Sequence, residues 1–168
     1  MQERDKKDIA EWYQQYGETI LKYILMMVRD YQHAEDLTQE TFVKAYKNKH
    51  SFKGESQPRT WLFSIAHNTT IDFLRKQKPI ELIREMLPSL MDKNPLPEEM
   101  VEIEESTRDL YIALGNLKPA YREVIILRKI KGFSIEETSQ ILNWSEGKVK
   151  TTLYRAIPAL KKQYGKEV

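Results

Sequence analysis

Helical spacing runs through most of this 168-residue sequence, and no stretch alternates apolar and polar residues long enough to predict a β-strand. The N-terminal part carries one apolar and aromatic stripe at this spacing: Ile9, Trp12, Tyr16, Ile20, Tyr23, Ile24 and Met27. The pattern predicts an all-α fold. Its first three helices are expected from Asp8 to about Arg29, from about His33 to Asn48 and from Pro58 to about Lys78.

Residues 79–103 interrupt the helical pattern with prolines at positions 79, 88, 95 and 97 and a run of acidic residues. This composition predicts a flexible linker with at most short helices. We therefore expect two small helical domains, an N-terminal one at 1–78 and a C-terminal one at 104–168. The C-terminal domain is expected to hold four helices, of which the first ends near Gly115 and the second runs from Pro119 to about Gly132.

The pattern of residues 134–160 predicts a helix-turn-helix. Ser134 and Glu137 form an S-x-x-E capping box, and Ser145 can cap the second helix. One stripe of that second helix is apolar: Val149, Leu153, Ala156 and Leu160. Its other face is basic and carries hydroxyl groups: Lys148, Thr151, Tyr154 and Arg155, with Lys150 on the flank. This mixture suits a DNA major groove, although a solvated helical hairpin would show the same pattern.

Charge is segregated along the chain although the net charge is only +2. Segment 51–78 has five basic and two acidic residues, 79–117 has three and nine, and 118–168 has eleven and five. Two basic blocks flanking an acidic one favour contact with a polyanion at two places. The absence of cysteine excludes disulfides and thiolate metal sites, and no signal peptide or membrane span is apparent, so we expect a cytoplasmic protein.

Beside the buried stripe of the third helix, Trp61, Asn68 and Arg75 follow one another at seven-residue intervals. This flank adjoins the loop 52–54, which is aromatic, basic and contains glycine. Aromatic and basic groups that converge in this way can bind single-stranded nucleic acid, and a solvated helix flank is the alternative.

His33, Asp36 and Glu40 lie about one turn apart on the second helix and are the best metal-site candidate in the sequence. No further ligand accompanies them, and no catalytic motif of the common classes occurs. Asp36 and Glu40 therefore fit better as an exposed acidic face that binds a protein partner.

Three stretches taken in order resemble a known family. AEDLTQETFVKAY (34–46), SFKGESQPRTWLFSIAHNTTIDFLR (51–75) and LKPAYREVIILRKIKGFSIEETSQILNWSEGKVKTTLYRA (117–156) are similar to successive regions of the extracytoplasmic-function (ECF) group sigma factors of bacterial RNA polymerase. The resemblance implies a non-enzymatic protein without cofactor or metal. It would bind core RNA polymerase and promoter DNA, both duplex and single-stranded, and would be inhibited by an anti-sigma factor, often a membrane-anchored one.

The resemblance also implies roles for particular residues. Core polymerase contacts would be Asp36, Leu37, Gln39 and Glu40. Contacts with the opened minus-ten element would come from a loop with Phe52, Lys53, Gly54 and Ser56 and from a helix with Trp61, His67, Asn68, Asp72 and Arg75. Contacts with the duplex minus-thirty-five element would be Lys148, Lys150, Thr151, Thr152 and Arg155.

Some residues depart from the family pattern. Thr138 and Ser139 replace an aliphatic residue and alanine, which predicts a less apolar helix-turn-helix core. Lys150 stands where arginine is frequent, and Pro158 is expected to bend or end the recognition helix. Two other classes stay open at this point: a two-domain helix-turn-helix regulator that does not associate with core polymerase, and a helical catalytic or metal-binding domain.

Overall fold

The computed structural model describes residues 2–86 and 105–165, and within these ranges every regular element is helical. The α-helices are α1 (Gln2–Val28), α2 (Tyr31–Lys47), α3 (Pro58–Met86), α4 (Glu105–Gly115), α5 (Pro119–Ile125), α6 (Ile135–Leu142) and α7 (Glu146–Gly165). A 3₁₀ turn at Lys49–Ser51 follows α2, and one π-helical turn at Ile126–Ile130 follows α5. The all-α fold with a four-helix C-terminal half is confirmed.

Two helices continue through prolines that were expected to end α3 and to bend or end α7. α3 passes through Pro79 and reaches Met86, so the prediction that this helix ends at about Lys78 is wrong. Residues 87–103 of the predicted linker lie outside the described residues. α7 likewise continues through Pro158 to Gly165. A proline removes one backbone hydrogen bond, but adding residues to an existing helix costs much less free energy than starting one. In α7, Ala156 and Leu160 also pack against the core on either side of Pro158.

The two predicted domains share one hydrophobic core, which the sequence did not predict. Phe63 of α3 is fully buried between Tyr23 of α1 and Phe133, which precedes α6, with ring centroids 5.4 Å and 4.9 Å away respectively. The core continues through α4 and α5 to α7. The N-terminal and C-terminal halves are therefore packed together rather than held apart.

Arg122 of α5 joins the ends of two helices across this junction. Its buried guanidinium donates to the carbonyl oxygens of Leu114 and Leu117, each 3.0 Å away, and to that of Met27 at 2.6 Å. The last carbonyls of a helix have no partner within the helix and attract cations. One side chain thus satisfies the C-terminal ends of α1 and α4 together.

Arg29 reinforces the same junction. It ends α1 in the left-handed conformation, with φ of 64°. Its guanidinium lies 3.9 Å from the centre of the Tyr111 ring and donates to the Tyr111 carbonyl at 2.9 Å. A Cβ on Gly115 would lie 2.4 Å from Arg29 Cζ, so the missing side chain at residue 115 makes room for this contact.

The helix-turn-helix forms as predicted. Ser134 and Glu137 make both hydrogen bonds of the capping box, and the Ser145 hydroxyl accepts from the Lys148 backbone N–H at 3.1 Å. Asn143 supplies the left-handed residue that ends α6. Thr138 is 0 % exposed and its hydroxyl has no hydrogen-bond partner, which confirms the less apolar core expected from this residue.

Replacing Thr138 by valine removes an unsatisfied buried hydroxyl and should raise the free energy of unfolding by about 1 kcal/mol. Thr41→Val is the matched control, because Thr41 is equally buried but donates to the Leu37 carbonyl at 2.8 Å. We expect this control to be neutral or destabilising. Urea unfolding followed by circular dichroism measures both, and equal effects of the two substitutions would contradict the assignment.

Lys131 lies in an unfavourable electrostatic environment at the junction. Burial lowers its pKa to about 8, and the nearby cations Lys22 and Arg59 act in the same direction, partly offset by Glu18. Between about pH 8 and 10.5 the unfolded chain therefore binds more protons at this residue than the folded one, so this residue's contribution to stability rises with pH over that window.

Lys131→Met keeps the alkyl stem and removes the charge. We expect the free energy of unfolding to rise by about 1 kcal/mol at neutral pH. This is well below the free energy that corresponds to the whole pKa shift, because Lys131 is only partly buried. The gain should shrink as the pH rises above about 8 and should vanish near 10.5. Lys129→Met is the exposed control, and thermal unfolding across this pH range would contradict the prediction if the two variants behaved alike.

Candidate nucleic-acid and partner interfaces

The acidic face predicted on α2 is accessible to a partner. Asp36, Gln39 and Glu40 are exposed, and the Asp30 carboxylate caps the helix by accepting from the His33 backbone N–H at 3.0 Å. Leu37, predicted to be part of this contact, is only 6 % exposed and packs in the core beneath the face. Its role in the structure is therefore to support the helix rather than to present a side chain outward.

An apolar groove between α1 and α2 borders this acidic face, and the sequence pattern did not single it out. Tyr13 and Val43 are each 51 % exposed along it, and Gln39 lines it as well. Tyr13 packs edge-on against Phe42 with ring centroids 5.1 Å apart. Apolar side chains exposed beside carboxylates are typical of a protein-binding surface.

The histidine of the metal-site candidate on α2 contacts two residues outside that candidate. The His33 Nδ1 lies 2.7 Å from Asp30 Oδ2, and the imidazole packs on the Phe73 ring at 4.8 Å. Within residues 2–86 and 105–165, no three histidine or carboxylate side chains come together in a metal-binding cluster.

An aromatic cluster forms where the sequence predicted convergence. Phe52 and Trp61 lie 5.1 Å apart, and Trp12 from α1 packs edge-on against both, at 5.3 Å and 6.0 Å. The Lys49 ammonium lies 5.3 Å from the centre of the Trp12 ring. Trp12 had been assigned only to the apolar stripe of α1, because helical spacing does not distinguish an aromatic that supports a loop from one inside a core.

The loop between the 3₁₀ turn and α3 is open to solvent at its tip. Gly54 has a φ of +74° and nothing within 4 Å of the position of a Cβ. Glycine is favoured at this position by the left-handed backbone conformation, and not by any lack of space for a side chain. Lys53 is exposed beside it and Ser56 is half-buried.

The outward side of α3 is divided between solvent and the C-terminal half. Asn68, Asp72 and Arg75 are exposed, and the last two lie 3.9 Å apart in a loose ion pair. His67 does not join them. Its Nδ1 lies 2.6 Å from Oε2 of Glu123, a carboxylate on α5 that is 2 % exposed.

Glu123 also accepts a hydrogen bond from the Tyr23 hydroxyl of α1. Burial raises the pKa of that hydroxyl well above its ordinary value, and the charge of Glu123 raises it further, so Tyr23 stays a donor. Sequence spacing gave no signal for Glu123, because a single acid within an apolar helix has no local partner that would identify it.

A cleft separates the loop 52–58 from α6. The loop side is lined by Phe52, Gly54, Glu55 and Ser56, and the α6 side by Glu136, Glu137 and Gln140. Hydrogen bonds from the Ser134 backbone and side chain lower the pKa of Glu137, and contacts with Thr60 and Arg59 lower it too. Carboxylates of the C-terminal half thus stand directly opposite the tip of the loop.

The outward face of α7 is free along the predicted contact positions. Lys148, Lys150, Thr151 and Arg155 are exposed and Thr152 is half-buried. The Lys148 ammonium lies 4.4 Å from the centre of the Trp144 ring, and Tyr154 projects into solvent on the same side. Cations and hydroxyls on one exposed helix face can contact phosphates and base edges in a major groove.

No helix in the described part of the chain is long and apolar enough to cross a membrane.

Comparison with known proteins identifies the two halves of this fold separately. Residues 12–80 match the Sigma-70 region 2 family, and residues 107–160 match the Sigma-70 region 4 family. The chain is 37 % identical to the ECF RNA polymerase sigma factor SigX of Bacillus subtilis, over 89 % of this chain and 80 % of that protein. It is 36 % identical to the RNA polymerase sigma factor YlaC of the same organism, over 99 % of this chain and 96 % of that protein.

A solved structure has the same fold. The sigma factor RpoE from Bartonella quintana, crystallised with the anti-sigma factor NepR, superposes with a TM-score of 0.79 at 24 % identity, covering 95 % of this chain and 98 % of that one. The two family matches, the similar proteins and the helical fold all indicate a sigma factor. The chain belongs to the ECF group of the sigma-70 family, the sigma factors that bind RNA polymerase and direct transcription initiation.

Proposed function

We propose that this sigma factor divides its work among three surfaces: an α2 face for core polymerase, the loop 52–58 with α3 for the opened minus-ten element, and α7 for the duplex minus-thirty-five element. The exposed face of α2 is the observation that supports this proposal most strongly. It combines Asp36, Gln39 and Glu40 with the apolar groove at Tyr13 and Val43, which neither DNA-binding surface needs. We assign residues 1–78 and 104–168 to the two functional domains and 79–103 to their linker.

The strand-reading assignment rests on the aromatic cluster and its neighbours. Phe52 and Trp61 offer ring faces and edges, while Asn68 and Arg75 offer hydrogen-bond donors on the exposed side of α3. Extruding a base from duplex DNA costs a few kcal/mol, so a surface that recovers this cost only for the correct base selects the sequence. Lys53, exposed beside Gly54, can contact the phosphate backbone.

The duplex-reading assignment rests on α7. Arg155 can form two hydrogen bonds with a guanine edge, whereas Lys148 and Lys150 are point charges better suited to phosphates. Two such heads separated by two helical turns are ~70 Å apart on DNA. The proposed linker of about 25 residues begins with the helical residues 79–86, which rise only ~1.5 Å each, so its greatest reach is about 70 Å and matches that gap.

The protein then works by binding alone, with no catalytic residue of its own. An anti-sigma factor is the inhibitor we infer for it. RpoE was crystallised with NepR, and the sigma factor CnrH, which shares the fold at 21 % identity with a TM-score of 0.72, was solved with the cytosolic domain of CnrY.

Charge reversal on α2 tests the polymerase surface. Asp36→Lys combined with Glu40→Lys should weaken core polymerase binding at least 30-fold, which corresponds to about 2 kcal/mol, because like charges then face the partner's docking site. Binding to duplex promoter DNA should change little. Fluorescence anisotropy with purified core enzyme measures the first, and a gel-shift assay the second.

Glu11→Lys combined with Glu105→Lys is the control, since it changes the net charge equally at exposed positions on other helices. Unchanged polymerase binding by the α2 variant would reject the proposed docking face. Duplex binding by a protein that never binds core polymerase would instead favour a helix-turn-helix regulator that acts without it.

Two single substitutions test the division between the DNA surfaces. Arg155→Ala should cost ~1–3 kcal/mol in binding to a duplex minus-thirty-five element and should relax specificity at one base pair. Asn68→Ala should slow promoter opening, followed by permanganate reactivity of unpaired thymines, while duplex affinity stays near that of the unmodified protein. Lys161→Ala, exposed beyond Pro158, is the control for α7. If each variant lost duplex affinity and promoter opening to the same extent, the proposal that α7 and α3 contact different DNA elements would be contradicted.

A further inference from the structure

The start of the loop 52–58 is held by residues that belong to none of the assigned contact surfaces. Lys49 lies in the 3₁₀ turn that leads into the loop, and its ammonium lies 3.4 Å from the Asp8 carboxylate of α1. The Lys49 side chain is only 15 % exposed. An ammonium so largely removed from water needs a counter-charge, so this ion pair fixes the 3₁₀ turn against α1.

Lys49 also contacts the first residue of the loop, Phe52, in two ways. Its carbonyl oxygen accepts a hydrogen bond from the Phe52 backbone N–H at 3.1 Å, and its ammonium lies 5.6 Å from the centre of the Phe52 ring. A cation within about 6 Å of an aromatic ring is attracted to the ring, and the attraction is stronger where water is excluded. Lys49 thus restrains both the backbone and the side chain of Phe52.

Trp12 of α1 supports the same two residues. It lies one turn after Asp8 on the same side of the helix, and its ring centroid lies 5.3 Å from the Lys49 ammonium and 5.3 Å from the Phe52 ring. Trp61 of α3 packs on Phe52 from another side at 5.1 Å. Phe52 is therefore held by α1, α3 and the 3₁₀ turn together, while the exposed part of the loop starts at the next residue.

Stability alone does not account for an ion pair at this place. A largely buried pair adds little net stability compared with well-packed apolar side chains, because desolvation cancels most of the attraction. It does restrict the loop, because its energy is favourable only in the arrangement where the two charges meet. A loop ordered in advance loses less conformational freedom when it binds a strand, so more of the contact free energy offsets the cost of extruding a base.

We propose that Asp8, Trp12 and Lys49 are positioning residues of the strand-binding surface. They hold Phe52 where it meets the opened minus-ten element, and they act through Phe52 rather than through DNA contacts of their own. The inference rests on the proposed function for the role of Phe52. The ion pair and the ring contacts exist within the chain, so they can be tested without DNA.

The coupling between Asp8 and Lys49 is measured first in the free protein. Asp8→Asn, Lys49→Met and the double variant form a cycle of urea unfolding experiments. We expect the double variant to be destabilised less than the sum of the two single variants, because each single change leaves one charge without its partner. Additive effects would overturn the ion pair as a restraint on the loop.

The second measurement is the rate of promoter opening at saturating core polymerase, followed by permanganate reactivity of unpaired thymines, with variants shown to be folded. Lys49→Met and Asp8→Asn should each slow opening about 3- to 10-fold, the size expected when Phe52 loses one cation–π contact or the ion pair that holds the cation. Lys49→Arg keeps a cation and should restore most of the rate. Lys47→Met removes the same charge from an exposed position of α2 and should leave the rate unchanged.

Trp12 is tested in the same assay. Trp12→Leu removes the ring that contacts both Lys49 and Phe52 and should slow opening, whereas Trp12→Phe keeps a ring on that side of α1 and should slow it less. Equal rates for the two variants would overturn the role of Trp12.

A Phe52→Ala background decides whether Lys49 acts through Phe52. Lys49→Met should slow opening no further in this background. Further slowing would show that Lys49 contacts DNA directly, which would overturn the positioning role.

The outcomes also separate this inference from the proposed function. If Phe52→Ala slows opening but Lys49→Met does not, or if Lys49→Met and Lys49→Arg open promoters at equal rates, the positioning role is overturned and the strand-binding loop remains. If Phe52→Ala opens promoters at the unmodified rate, the proposed role of the loop is rejected and the positioning role falls with it.

Discussion

Two neighbouring buried charges on α5, Arg122 and Glu123, join the halves of this protein. Arg122 donates to the carbonyl ends of α1 and α4, and Glu123 receives hydrogen bonds from side chains of α1 and α3. A buried charge without partners costs several kcal/mol, so each of these residues restricts the positions that the surrounding helices can take. Apolar contacts such as Phe63 with Phe133 supply the burial, and the charges select one arrangement among those that would bury similar area.

This arrangement leaves two of the proposed binding surfaces available and limits the third. The acidic face of α2 and the basic face of α7 both point to solvent. The loop 52–58 instead faces α6 across the cleft, and the adjoining side of α3 contacts α5 through His67 and Glu123.

The sequence predicted the elements that local chemistry controls. Helical spacing, the Ser134 and Glu137 capping box, the Ser145 cap and the exposed basic face of α7 all follow from neighbours within one or two turns. The polar Thr138 in the helix-turn-helix core was also apparent from its position on the buried face.

Long-range partners were not predictable from the same patterns. Glu123 meets His67 and Tyr23 across 56 and 100 positions of sequence, and no local spacing encodes such pairs. The family resemblance assigned His67 to the DNA contacts and Leu37 to the polymerase contacts, whereas in this structure His67 pairs with Glu123 and Leu37 lies beneath the exposed face of α2. Pro79 was expected to end α3, and Pro158 to bend or end α7, because the local cost of a proline in a helix is clear. Both helices continue, and in α7 the packing of Ala156 and Leu160 against the core offsets that cost.

Run-off transcription with purified core RNA polymerase, with and without this chain, tests the central claim most directly. Its templates should carry promoters found by mapping transcripts after the chain is overproduced. The account predicts transcripts that start at defined positions only when the chain is present, and that are lost when Asp36 and Glu40 are both reversed in charge. Transcription that is identical with and without the chain, from a protein shown to be folded, would contradict it.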